Sequence, residues 1–181
     1  YALRHSAAVI TDAAAIRDEL QQRYGKQLAA LHVVPIGVRL PPPDKTTTTP
    51  PAGRVLYLAK LMPYKGQRQA IEAWRVLQEQ YPQESVGLTL TLQGYANDDA
   101  FMAELTAAIQ RLPNPDAVKI RPYIKDVSLA ELYADADLLL FLSAYEGFGL
   151  PVIEAQAHGV PVVASDLPVL REVGGEAAVY V

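Results

Sequence analysis

Residues 138–164 read LLLFLSAYEGFGLPVIEAQAHGVPVVA. Five consecutive apolar residues, 138–142, predict a strand covered on both faces, because a strand with one wet face would alternate apolar and polar residues. A loop with two glycines follows, and Pro151 is suited to open a helix that we predict over residues 151–157. A second apolar strand is predicted over residues 160–164. Strand, helix and strand in this order indicate a parallel βαβ unit.

The same alternation extends upstream as far as residue 54. Strands are predicted at residues 55–58, 88–92 and 118–120, and helices at residues 66–80, 101–112 and 129–134. We therefore predict an α/β fold with a Rossmann-like, doubly wound parallel sheet and helices on both faces. Sheets of this kind bind their ligands at the carboxyl ends of the strands, and the candidate functional residues fall there.

Prolines and threonines divide the chain into two parts. Residues 41–53 hold five prolines and four consecutive threonines without apolar periodicity, which is typical of a linker; the alternative is a long surface loop within one domain. Residues 1–40 carry two short predicted strands, at 8–11 and 32–35, around a helix that we expect Asp12 to cap. We expect residues 1–40 to be the remnant of another lobe and residues 54–181 to form the main domain.

The composition excludes several classes of function. The chain has 181 residues, half of them hydrophobic, and 20 acidic against 16 basic residues, which makes a broad basic surface for nucleic acid unexpected. There is no cysteine for a disulfide, a zinc thiolate or a nucleophile, and the three histidines are scattered. The chain begins with Tyr1 and ends within the apolar run 177–181, so we expect it to be part of a longer protein whose domain continues beyond residue 181.

Two lysines form the first candidate site. Lys60 and Lys65 follow a predicted buried strand and precede a predicted helix. Two cations at the carboxyl end of a strand can hold a diphosphate by charge and hydrogen bonds. The alternative is that both lysines lie at the surface and only solvate a loop.

The glycine loop after residue 142 forms the second candidate site. Gly147 and Gly149 allow the backbone to turn and to approach a ligand closely. The amides of Gly149 and Leu150 are expected at a helix N-terminus, which favours a phosphate. Glu146 and Glu154 can face the same crevice and accept hydrogen bonds from sugar or ribose hydroxyls. The alternative is a plain turn followed by an acid that the helix dipole stabilises.

Two further positions are weaker candidates. Tyr123 and Ile124 follow the predicted strand at 118–120 and can offer backbone groups and an apolar face to a nucleotide base, or they can form a packed connector. His158 lies before Gly159 at a predicted helix end, and we interpret it as structural.

Together these residues resemble the C-terminal half of retaining GT-B glycosyltransferases of family 4. The signature is Glu146 and Glu154 with seven residues between them, in the segment YEGFGLPVIEA. The remaining segments that resemble the family are residues 32–39, 58–66, 132–143, 157–165 and 170–175. The resemblance covers nearly the whole chain.

The resemblance implies a role for each candidate residue. Lys60 and Lys65 would hold the donor diphosphate and, with Glu146 facing the transferred sugar, form the catalytic group. Glu154 would bind the donor ribose. The other implied donor contacts are the backbone of Gly147, Phe148 and Gly149 beside the sugar, the backbone of Leu150 at a phosphate, and Tyr123 and Ile124 at the base. Lys60 stands where the family usually has arginine, so the grip on phosphate is expected to be weaker.

The resemblance also implies an activity. The full-length protein would be a hexosyltransferase that moves a sugar, with retention, from a nucleotide-diphosphate donor to a glycan, lipid or small-molecule acceptor, without a metal or other cofactor. It would act in the cytoplasm, with peripheral contact to the inner membrane face through its N-terminal domain. Because acceptor sites lie on that domain, we expect this chain alone to be inactive.

Two other functions stay open at this point. One is a non-catalytic module that binds a nucleotide or a sugar. The other is a different GT-B enzyme, such as a nucleotide-sugar epimerase, which would need further acids and histidines in the cleft.

Overall fold

The computed structural model describes residues 6–25, 30–38, 52–122 and 128–181. The first part is a small βαβ unit of strand β1 (Ala8–Thr11), helix α1 (Ala14–Tyr24) and strand β2 (Ala30–Val33). The two strands pair in parallel, with Ala8 opposite Ala30. Both predicted strands are present, although β2 begins two residues earlier than expected. Most of the predicted linker, residues 41–51, lies outside the described residues.

A six-stranded parallel sheet forms the second part. Its strands and helices, in chain order, are β3 (Arg54–Leu58), α2 (Gln67–Gln80), β4 (Thr89–Gly94), α3 (Asp99–Ile109), β5 (Val118–Pro122), α4 (Leu129–Ala134), β6 (Leu138–Phe141), α5 (Leu150–Ala157), β7 (Val162–Ala164), α6 (Pro168–Gly174) and β8 (Ala178–Tyr180). The strand order is β5-β4-β3-β6-β7-β8, and every neighbouring pair is parallel. The prediction of a doubly wound parallel sheet is therefore confirmed.

The strand order reverses between β3 and β6. The chain moves outward from β3 through β4 to β5, and then returns to place β6 on the other side of β3. Val55 pairs with Leu138 and Leu56 with Leu139, so the carboxyl ends of these two strands lie side by side. In doubly wound sheets this reversal opens the crevice in which ligands bind.

Two apolar cores cover the two faces of the sheet. Neighbouring strand residues face opposite sides, and Leu56 accordingly packs in one core while Tyr57 packs in the other. Helices α2 and α3 cover the face of Tyr57, and Trp74 is among their buried residues. Helices α4, α5 and α6 contribute buried residues to the other core. Helices on both faces were expected from the apolar run that became β6.

Several element boundaries differ from the sequence-based expectations. Helix α5 begins at Leu150, so Pro151 stands within its first turn rather than at its first position. Helix α6 and strand β8 lie in a segment for which the sequence patterns predict no element. Helix α6 has only seven residues and β8 only three, which is too short for a periodic pattern to emerge.

The predicted cap of α1 is wrong, because Ala13 rather than Asp12 is the N-cap residue and it offers no side-chain acceptor. The acceptor comes from α6 instead. The Glu172 carboxylate accepts hydrogen bonds from the backbone N–H groups of Ala14 and Ala15, each at 2.7 Å. A carboxylate at a helix N-terminus is favoured both by the free N–H groups and by the helix dipole. The small βαβ unit is thus joined to the main sheet through Glu172.

Asp137, which precedes β6, connects the N-terminal ends of β3 and β6. Its Oδ2 atom accepts hydrogen bonds from the backbone N–H groups of Ala52 at 2.9 Å and Arg54 at 2.8 Å, and from the Arg54 guanidinium at 3.2 Å. Burial alone would raise the pKa of the Asp137 carboxyl, but the hydrogen bonds from Arg54 and Ala52 hold it below its ordinary value. The ionised form is therefore stabilised by folding.

We predict that Asp137→Asn lowers the free energy of unfolding by about 1–2 kcal/mol at pH 7, because hydrogen bonds to a charged acceptor are lost. Since folding depresses this pKa, its contribution is complete above the ordinary carboxyl pKa and disappears as the pH falls through the lower, folded value. Urea unfolding followed by circular dichroism between pH 7 and pH 3 should show a smaller acid-induced loss of stability in the variant.

Asp135→Asn is the matched control, because Asp135 pairs with the same arginine at 3.4 Å but its side chain is 83% exposed. It should change the stability and its pH dependence little. Equal effects of the two substitutions would contradict the role assigned to Asp137.

Candidate functional site

The candidate site lies at the carboxyl ends of β3 and β6. After β3 the chain forms a short 3-10 turn, Pro63–Lys65, and Gly66, with a φ of +79°, is the N-cap residue of α2. A Cβ atom at Gly66 would overlap the carbonyl oxygen of Leu142 and crowd the Tyr57 hydroxyl. The backbones of the two loops therefore lie so close together here that only glycine fits at the contact.

The Tyr57 hydroxyl forms hydrogen bonds to both loops. Its side chain is fully buried in β3, and its hydroxyl donates to the carbonyl of Lys65 and accepts from the amide of Leu142 at 2.9 Å. Burial raises the pKa of the Tyr57 phenol above its ordinary value, so the hydroxyl keeps its proton and stays a donor. One side chain thus fixes the end of the 3-10 turn relative to the end of β6. Sequence reasoning missed it, because an aromatic residue in a strand is interpreted as core.

Lys65 and Glu146 form an ion pair across the crevice. The ammonium nitrogen lies 2.7 Å from Oε1 and 2.8 Å from Oε2 of the carboxylate, and the side chains are only 17% and 7% exposed. These bonds use two of the three N–H groups of the ammonium and leave the third for another acceptor. The sequence indicated both residues as candidates but did not predict that they bind each other.

Lys60 is placed differently from Lys65. Its side chain is exposed, and no ion pair of its ammonium is found within the described residues. Its backbone is held, since the amide of the fully buried Gln67 donates to the Lys60 carbonyl at 2.9 Å. Convergence of the two lysines on one ligand therefore stays a prediction, with the loop position of Lys60 fixed by Gln67.

The glycine loop is anchored on its apolar side. Phe148 is buried in the core beneath the loop, and Gly149 adopts a φ of +94° as the N-cap residue of α5. Gly147 is exposed, and Leu150 is the first residue of the helix. The amides at the start of α5 thus lie where the sequence predicted them.

Glu154 lies on the first turns of α5. Its Oε2 atom accepts a hydrogen bond of 3.0 Å from the hydroxyl of Tyr133 on α4, a residue that sequence reasoning did not single out. His158 ends α5, bonds the Glu154 carbonyl oxygen through Nδ1 at 2.8 Å and stacks on the Tyr133 ring. The structural interpretation of His158 fits this contact. Tyr123 and Ile124 lie outside the described residues, and their predicted contact with a base stays a prediction.

A cavity of about 680 Å³ opens beside Glu146. It is lined by α1 on one side and, on the other, by Tyr145, Glu146, residues 167–169 and Glu172. In the described part of the chain, no three histidine, aspartate or glutamate side chains cluster in a way that could hold a metal ion. None of the described helices combines the length and the apolar character that crossing a membrane requires.

Comparisons with known sequences agree on one family. The model of the family "Glycosyl transferases group 1" matches residues 44–178. An O-antigen chain mannosyltransferase B from Escherichia coli is 35% identical over 127 residues, which cover 69% of this chain and 32% of the relative. A glycogen synthase from Mycobacterium tuberculosis is 31% identical over 173 residues, covering 94% and 40%. The chain therefore spans about a third to two fifths of the length of these relatives.

Solved structures show the same architecture. HepE from Anabaena, crystallised with UDP and glucose, is 25% identical with a TM-score of 0.74 and covers 94% of this chain. A sucrose-phosphate synthase from Thermosynechococcus elongatus is 26% identical with a TM-score of 0.78 and covers 99%. The chain matches 47% and 46% of those two proteins, respectively.

We predict that Gly66→Ala lowers the free energy of unfolding by about 3 kcal/mol or more, since the added methyl meets the Leu142 carbonyl in an unfavourable backbone conformation. Gly147→Ala is the control in the same site, because a Cβ there has no atom within 4 Å. Its effect should stay within about 0.5 kcal/mol. Urea unfolding of both variants measures these free energies. Similar losses of stability in the two variants would show that the loops are not held together at Gly66.

Proposed function

Because the chain belongs to the glycosyl transferases group 1 family, we propose that it is the donor-binding part of a retaining GT-B hexosyltransferase of family 4. Its ligand is a nucleoside-diphosphate sugar. The observation that carries this proposal is the partly buried ion pair of Lys65 and Glu146 at the carboxyl ends of β3 and β6. It puts one cation and one carboxylate where a doubly wound sheet receives a nucleotide.

The Lys65 ammonium binds the diphosphate of the donor. Glu146 holds two N–H groups of the Lys65 ammonium, and the third donates to a phosphate oxygen. The amides at the start of α5, beside Gly149 and Leu150, donate from the other side. Lys60 adds a second charge from the loop that Gln67 holds. Transfer of the sugar leaves negative charge on the departing diphosphate, and donors that are already in place stabilise that charge.

The carboxylates of Glu146 and Glu154 accept hydrogen bonds from hydroxyl groups of the donor. Glu146 borders the 680 Å³ cavity, and there it accepts from hydroxyls of the transferred sugar. Glu154 accepts from the ribose, with Oε1 as the acceptor because Oε2 is bonded to Tyr133. The backbone of Gly147, Phe148 and Gly149 completes the sugar contacts. The UDP and glucose bound to HepE support this class of ligand.

The whole protein's reaction extends beyond this chain. We propose transfer to a glycan, lipid or small-molecule acceptor held by an N-terminal domain, in the cytoplasm and without a metal. The names of the Escherichia coli and Mycobacterium tuberculosis relatives support a sugar acceptor. Assays of nucleotide binding therefore test the proposal on this chain directly, whereas assays of transfer need the longer protein.

We predict that Lys65→Ala weakens binding of a nucleoside diphosphate by about 10- to 100-fold, the range for one charged hydrogen bond, and leaves the affinity for the matching nucleoside unchanged. Isothermal titration calorimetry with UDP, GDP and ADP and with their nucleosides measures this effect. The substitution leaves the Glu146 carboxylate without its ion-pair partner. A Lys65→Gln, Glu146→Gln double variant avoids this unpaired buried charge and should show the same loss of diphosphate affinity.

Lys119→Ala is the control for general charge, since Lys119 is an exposed lysine on β5. It should leave diphosphate affinity unchanged. Equal affinities of wild type, Lys65→Ala and the double variant would leave Lys65 as a structural residue and remove the basis of the diphosphate site.

We also predict that Glu154→Gln weakens nucleoside-diphosphate binding by about 1–3 kcal/mol, because an uncharged amide is a weaker partner for the ribose hydroxyls. The same titrations with the matching 2′,3′-dideoxy nucleotide provide the control. Its affinity, which does not involve the hydroxyls, should be similar in wild type and variant. An unchanged affinity for the ribonucleotide would exclude Glu154 as the ribose acceptor.

A further inference from the structure

Tyr133 is a buried residue with a polar end. It lies on α4, its side chain is 1% exposed, and its ring packs in the core that α5 and α6 cover. A phenylalanine would satisfy this packing equally well. The hydroxyl, however, lies 3.0 Å from Oε2 of Glu154 and 3.2 Å from the carbonyl oxygen of Pro151. The polar end of Tyr133 is therefore directed at the first turns of α5.

The charged acceptor is the stronger of these two partners. A phenol has one proton to donate, and a hydrogen bond to a carboxylate is shorter and stronger than one to a neutral carbonyl. Burial and the nearby charge of Glu154 raise the pKa of the phenol above its ordinary value. The hydroxyl thus keeps its proton at neutral pH and donates to Glu154.

The orientation of Tyr133 is itself fixed. The imidazole of His158 stacks on its ring, with ring centres 5.0 Å apart and planes 25° apart. Helix α4 begins at a reciprocal cap, in which Ser128 and Glu131 each accept from the other's backbone N–H. A donor on a fixed ring restricts the rotation of a carboxylate that is otherwise free to turn about three bonds.

We propose that Tyr133 is a positioning residue for the donor ribose: its hydroxyl holds Oε2 of Glu154 so that Oε1 faces the ribose hydroxyls. This inference rests on the proposed function, because it needs a nucleotide whose ribose meets Glu154. The bond lowers the entropy that the Glu154 side chain loses when the ligand binds, and it keeps the carboxylate from turning toward solvent.

The test compares two ligands on one protein. The nucleoside diphosphate that binds the 181-residue chain best, among UDP, GDP and ADP, is titrated beside its 2′,3′-dideoxy counterpart by calorimetry. Wild type should prefer the ribonucleotide by about tenfold or more, as expected for a hydrogen bond to a charged group. In Tyr133→Phe this preference should fall to about threefold or less, while the dideoxy affinity stays within about twofold of wild type. A merely destabilised protein would weaken both ligands in proportion.

Tyr57→Phe is the matched control, since it removes another buried tyrosine hydroxyl of the site that binds loop backbone rather than Glu154. It should lower the affinity for both ligands and keep their ratio. The substitution of 4-aminophenylalanine for Tyr133 keeps a donor on the ring and should restore the preference for ribose. If Tyr133→Phe does not fold, Tyr133→Met, which also lacks the donor, is titrated in its place.

The outcomes separate the two proposals. A wild-type chain that binds no nucleoside diphosphate overturns the proposed ligand. A wild-type chain that binds the ribonucleotide and its dideoxy counterpart equally overturns the ribose role of Glu154. A wild-type preference for ribose that persists unchanged in Tyr133→Phe, or in Tyr133→Met, overturns the role of Tyr133 alone. A preference that disappears in these variants and returns with 4-aminophenylalanine supports it.

Discussion

The contact between Gly66 and the Leu142 carbonyl is the constraint on which the candidate site depends. The parallel strands of a doubly wound sheet end at one edge, where such sheets bind their ligands. Here the loops after β3 and β6 touch backbone to backbone, with Tyr57 bonded to both. Lys65, the residue before Gly66, lies beside this contact, with its ammonium nitrogen 2.7 Å from Glu146 Oε1. The chemistry of the crevice is therefore set by a position that carries no side chain.

The ion pair of Lys65 and Glu146 stabilises the structure only if its geometry offsets the cost of desolvation. Taking an ammonium and a carboxylate out of water costs several kcal/mol each, and their attraction offsets this cost only when the geometry is good. Lys65 and Glu146 meet this condition with two bonds of 2.7 and 2.8 Å. A pair of this kind contributes little to stability but fixes the position of a charge. A ligand that brings negative charge then finds the ammonium already placed, and it does not have to order a flexible lysine.

The sequence predicted those features that follow from pattern. The apolar run at 138–142 and the glycine loop after it indicated the parallel sheet and a loop at its carboxyl edge, and both are present. Features that depend on a single polar atom were missed. Tyr57 and Tyr133 have the spacing of core residues, and nothing in the pattern distinguishes a hydroxyl that binds a carboxylate from one that does not. The cap of α1 was missed because Glu172 is 158 residues away from the amide it accepts from.

The cap that Glu172 gives to α1 has a consequence for the residue that can stand at the start of that helix. A helix normally carries its own capping residue, usually serine, threonine, aspartate or asparagine. In this chain the side chain that caps α1 belongs to α6, and the N-cap position holds an alanine that is fully buried in the core. A serine, threonine or aspartate at position 13 would bring a polar group into that core, whereas a capping acid on α6 leaves the position apolar. The acid on α6 therefore lets α1 begin directly against the core and still have its first N–H groups satisfied.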